Sequence, residues 1–89
     1  MTTRTMSAMP LIQNWVCAFE SLGKSKADAL RELNAELGTR YDTSHLSRWE
    51  RGERMPGPEA QHVMRLAVLR WALPDATAKE IADLAEMMR

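Results

Sequence analysis

Thr43, Ser44, Ser47 and Arg48, with Arg51 beyond them, stand at spacings that an α-helix gathers onto one side. Leu46 and Trp49 fall on the other side, with His45 at its margin. The outward face is then small hydroxyls plus arginine. Short hydroxyls let a backbone approach closely, and a guanidinium fork matches the paired acceptors of a guanine edge or a phosphate. The chemistry on offer is recognition of a duplex groove. Arg48 lies well inside the helix, where it projects toward base edges together with Thr43, Ser44 and Ser47. Arg51 lies at the helix end, beside the phosphate backbone.

Asp42 positions these residues from the front, because its carboxylate can accept from the free N–H groups of a first helical turn. Gly52 stops the helix behind them by supplying a left-handed residue, so the helix covers about 43 to 51. A basic loop with Arg54 follows and closes at Pro56. The run Leu46-Ser47-Arg48-Trp49-Glu50-Arg51-Gly52-Glu53-Arg54-Met55-Pro56 resembles the end of the recognition helix in the Cro/lambda-repressor-like (Xre-type) helix-turn-helix family. The shared features are an aliphatic residue, two polar residues, an aromatic residue, an acid and a helix-ending Gly, then a basic loop closed by Pro. The resemblance extends more loosely from Lys24 to Leu69. It implies an all-α, five-helix lambda-repressor-like helix-turn-helix domain that binds DNA sequence-specifically.

The preceding helix is expected over about 25 to 37, with Ser25 and Asp28 as a capping box and Gly38 as its stop. Lys24, Ser25 and Lys26 cluster at its amino end, where free N–H groups and the positive dipole end favour an anion. The resemblance makes that anion a DNA phosphate; two solvated lysines are the plain alternative. Arg40, in the turn between the helices, can reach a phosphate or pair with Glu36 one turn back. Tyr41 stands where the family places an aliphatic turn residue against the core, and the turn is longer than in the shortest members. Glu50 matches an acid that the family often pairs with a cation from helix one. Helix one has no Lys or Arg here, so Glu50 finds another partner or stays exposed.

Helix one starts at Pro10 and carries an apolar stripe of Leu11, Ile12, Trp15, Val16, Phe19 and Leu22. Helix four is expected over about 58 to 73, and a last helix, capped by Thr77 with Glu80, over about 77 to 88. Helix four carries two stripes, a broad one from Ala60 to Trp71 and a second of Leu66, Leu69 and Leu73. The second, with Ile81, Leu84 and Met88, is the expected dimer surface, packing within one chain being its rival.

The 89 residues make one domain, expected over 9–89 behind a disordered arm, 1–8, that carries Arg4. Twelve basic and twelve acidic residues cancel, which weakens non-specific attraction to nucleic acid. The charge is unevenly spread: 23–56 holds seven cations and six anions, and 73–89 two cations and four anions. A lone Cys17 forms no internal disulfide and fits a reducing cytoplasm, and neither a membrane span nor a signal peptide is expected. His45 and His62 have no spacing that fits a metal or a catalytic base, so no enzyme, metal or cofactor is expected.

The expected function is a transcriptional regulator, a repressor of phage or mobile-element type, that reads an inverted-repeat operator in double-stranded DNA as a homodimer. The alternative is a protein-interaction module or antitoxin on the same scaffold, binding a partner protein through its C-terminal apolar stripe.

Overall fold

Local chemistry at the helix ends divides the chain. In the computed structural model, which describes residues 9–89, the helices are α1 (Met9–Ser21), α2 (Lys26–Leu37), α3 (Thr43–Glu50), α4 (Pro58–Ala72) and α5 (Ala78–Met87). No strand occurs among the described residues. The expected arm and Arg4 lie outside them. Ser25 caps α2 by accepting from Asp28 N, while the Asp28 carboxylate accepts from Ser25 N; Thr77 and Glu80 do the same for α5. Pro58 opens α4 in its first turn, where a missing N–H costs nothing.

The core follows the apolar periodicities. Ile12, Trp15, Leu33, Leu46 and Met64 are completely enclosed, and Trp15 meets Phe19 edge-on at 5.7 Å between ring centres. α1 packs along α4, α2 packs on both, and α3 leans on α1 and α2. α5 packs against α4 and is held there by Ile81 and Ala85, both buried.

Two ends of the expected stripes lie outside this core. Leu22 is 65% exposed, because α1 stops at Ser21 and the chain turns through Gly23, whose φ of 78° is left-handed. Lys24 N closes that turn by donating to Phe19 O at 3.0 Å, which leaves the leucine outside. Trp71, on the last turn of α4, is 41% exposed. No helix of the described residues is long and apolar enough to cross a membrane.

Candidate nucleic-acid interface

α3 stands on a cap built from three residues. Asp42 Oδ1 accepts from Ser44 N at 3.0 Å, His45 N at 3.2 Å and the Ser44 hydroxyl at 2.7 Å. Donation from the Ser44 hydroxyl first, and from the His45 backbone N–H, holds the Asp42 carboxyl far below the usual carboxylate range. Asp42 N donates to His45 Nδ1 at 3.1 Å, so a histidine fills the third helical position that Glu or Gln fills in the usual capping box. This role of His45 was hidden in the sequence, since nothing in its spacing distinguishes a capping ring from one at the core margin.

Behind the cap, Leu46 and Trp49 are buried. Trp49 meets Tyr41 edge-on at 4.9 Å, and Tyr41 meets His45 at 5.3 Å. Tyr41, half-buried against the core, thus holds the turn against α3. Asn34 on α2 fixes the turn from the other side. Its Nδ2 donates to Tyr41 O at 2.9 Å, and its Oδ1 accepts from Tyr41 N at 2.8 Å and from the Thr39 hydroxyl at 2.9 Å. The side-chain amide satisfies backbone groups that a loop of this length leaves open. In the sequence Asn34 reads as an ordinary polar helix residue.

The helix ends one residue earlier than expected, with Arg51 as its C-cap and Gly52 left-handed at φ 73°. Arg48 O accepts from Glu53 N at 2.9 Å, which folds the following loop under the helix. Gln61 Nε2 on α4 donates to Pro56 O at 2.7 Å and anchors the far end of that loop.

Thr43, Ser44 and Arg48 are exposed, and Ser47 is partly covered. The Ser44 hydroxyl is already committed to Asp42, so it can only accept from a ligand. Arg48 and Arg54 open on one hollow of about 220 Å³ beside α3, backed by Tyr41, His45 and Trp49. Among the described residues neither makes an ion pair, and neither does Arg40, which is exposed and not joined to Glu36.

The other expected phosphate ligands already have partners. Arg51 Nε and Nη2 meet the two Glu53 carboxylate oxygens at 2.7 Å and 3.1 Å, a bidentate pair that raises the Arg51 pKa and lowers that of Glu53. Lys24 Nζ lies 2.7 Å from Glu32 and 5.7 Å from the centre of the Phe19 ring. Lys26 Nζ lies 3.0 Å from Glu50 Oε2, which gives Glu50 its partner on helix two. The Ser25 hydroxyl accepts from Asp28 N within its own cap and helps hold the Asp28 carboxylate, so it too is engaged. The structure thus brings Thr43, Ser44, Ser47 and Arg48 together with Arg54. It leaves Lys24, Lys26 and Arg51 neutralised.

Of the expected dimer residues, Leu73, Leu84 and Met88 are exposed and Leu66 and Leu69 half-buried. Ile81 is 3% exposed, taken up inside the chain by the packing of α5 on α4, so it has no surface to offer a partner.

Comparison with protein-family models, with curated proteins and with solved structures finds no match for this chain.

Proposed function

We propose that the protein is a sequence-specific DNA-binding regulator, a repressor that reads an inverted repeat as a dimer with α3 in the major groove. The observation that carries this reading is the exposed face of α3. A helix anchored by Leu46 and Trp49 presents hydroxyls and an unpaired Arg48 outward, where a solvated surface helix would be served equally well by any polar residues. Its resemblance to the Cro/lambda-repressor-like pattern from Leu46 to Pro56 supports the same reading.

The test is selection of bound duplexes from a random pool, followed by fluorescence anisotropy of the winner at several salt concentrations. Each phosphate contact contributes a slope of about −0.9 in log K against log salt. Arg40 and Arg54 on two chains then give roughly −4 if both meet phosphate, Arg48 being turned to the bases. A pool that yields no preferred sequence and a flat salt response rejects the proposal.

A second reading, an interaction module or antitoxin on the same scaffold, draws support from a specific observation. Lys24, Lys26, Arg31 and Arg51, four of the seven cations between 23 and 56, are neutralised by acids of the same chain. That pairing lowers attraction to any polyanion.

A further inference from the structure

Among the described residues, seven large apolar side chains are strongly exposed, and six of them fall into two sets. Leu22, Trp71 and Leu73 line a groove at the corner where α4 turns into α5. Two hollows of about 470 Å³ and 210 Å³ adjoin there, sharing Arg70 and Pro74, with Leu22 and Trp71 lining the first and Leu73 the second. The other set, Leu84, Met87 and Met88, projects from the end of α5 at i, i+3 and i+4, the spacing of a single helical face.

The two sets cannot meet within one chain. α5 meets the second hollow only through its first turn, at Ala78 and Ile81, and none of Leu84, Met87 and Met88 lines either hollow. Ile81 and Ala85 pin the helix to α4. The apolar end of α5 therefore lies three to seven residues beyond Ile81, roughly 5 to 10 Å further along the helix at the helical rise. We propose that they meet between two copies: the end of α5 in each chain fills the groove of the other, an isologous exchange closed by a two-fold axis.

The charges are complementary. Arg70, unpaired among the described residues, lines both hollows of the groove, while Asp83 borders the apolar face of α5. Residues 73–89 carry two cations against four anions. Among the described residues Asp83 pairs only with Lys79, at 2.9 Å in open solvent, a contact weak enough to be shared. Methionines suit an irregular groove because their side chains adapt, and Trp with Arg is the pairing on which interfaces most often depend. The exchange rests on the dimeric half of the proposed function and not on its DNA half.

The experiment is sedimentation of the free protein at micromolar concentration, in reductant because Cys17 is exposed. The parent is expected at twice the chain mass, and Trp71→Glu and Met87→Glu each as monomers with unchanged helical circular dichroism. Their equimolar mixture is expected to recover a dimer, because one intact groove then meets one intact α5 end. If Trp71→Glu loses helix, Arg70→Glu and Asp83→Arg replace the pair, each weakening association alone and restoring it when mixed. A monomeric parent, a dimer that survives either single change, or a mixture that stays monomeric overturns the exchange, survival of Trp71→Glu alone doing so in favour of α5 meeting α5. Masses that climb without limit also overturn it, since they mean the contact does not close. All of this is read without DNA, so a failed duplex titration leaves the result standing.

Discussion

Lys26 Nζ on the first residue of α2 lies 3.0 Å from Glu50 Oε2 on the last residue of α3, tying the start of one helix to the end of the next. The lysine is nearly half exposed and the glutamate about a third, so solvent screens the pair. A double-mutant cycle of Lys26→Ala and Glu50→Gln in urea is expected to return a coupling of about 0.2 to 1 kcal/mol. On the DNA reading, Glu50→Gln alone frees a cation. It is then expected to tighten duplex binding and to steepen the salt dependence by up to about one. Weaker binding by Glu50→Gln in a folded protein contradicts that expectation.

Arg48 and Arg51 are expected to separate. Arg48→Ala costs roughly 1 to 3 kcal/mol on the selected duplex and flattens preference at one base pair per half-site. Arg51→Ala has a smaller effect that is alike for all sequences, because the guanidinium is already held at two points by Glu53. Glu53→Gln releases it and strengthens binding to every duplex. Anisotropy with single-base variants of the selected site measures all three, and equal losses for the two arginines would remove the distinction.

Trp49→Ala is expected to destabilise the fold by about 3 to 5 kcal/mol, the cost of deleting a large buried aromatic. The residue is 3% exposed, and Tyr41 rests edge-on against it. Trp49→Phe keeps much of the packing and is expected to lose less. Equilibrium denaturation by urea gives both values, and an alanine variant as stable as the parent excludes the aromatic stack as the support of α3.

Acid weakens the caps in a defined window. The Asp28 carboxyl is held down to about 2, against an ordinary 3.8, first by the Ser25 backbone N–H and then by Arg31 and the Ser25 hydroxyl. A carboxyl with a depressed folded-state pKa contributes stability that is complete above its unfolded value and lost as pH falls through its folded one. For Asp28 the loss runs between pH 3.8 and about 2. Thermal melts of Asp28→Asn are expected to fall less steeply over that window than those of the parent. Parallel curves would show that the cap does not sense protons.

Helix ends were legible in the sequence because their chemistry is local. Ser25 with Asp28, Thr77 with Glu80, Asp42, and the left-handed Gly38 and Gly52 each act within a few residues, and all occupy the predicted places. The buried faces of α2 and α3 were legible for the same reason, through their period. Contacts that depend on how helices meet were not. Glu50 pairs with Lys26, twenty-four positions away. Asn34 bonds to Thr39 and Tyr41 because of where the turn runs, and Ile81 is enclosed because α5 lies on α4. Period alone also misjudges the ends of stripes, as at Leu22, where the chain has already turned away from the core. Nor can a sequence reveal which cations are already spent, which is why Lys24, Lys26 and Arg51 looked as free as Arg48.

α3 has eight residues, a length of about 12 Å at the helical rise. Duplex DNA advances about 3.4 Å per base pair, so a helix this short spans only three or four of them. On the DNA reading, one chain spells a syllable too brief to be unique among the competing sites of a genome. The address must then reside in the interval between two syllables, and that interval is set by whatever fixes one α3 relative to the other. Residues that never approach a base, such as Trp71 or Met87, would carry as much of the message as Arg48. A change among them could redirect the protein to a different spacing of the same words with its reading helix untouched.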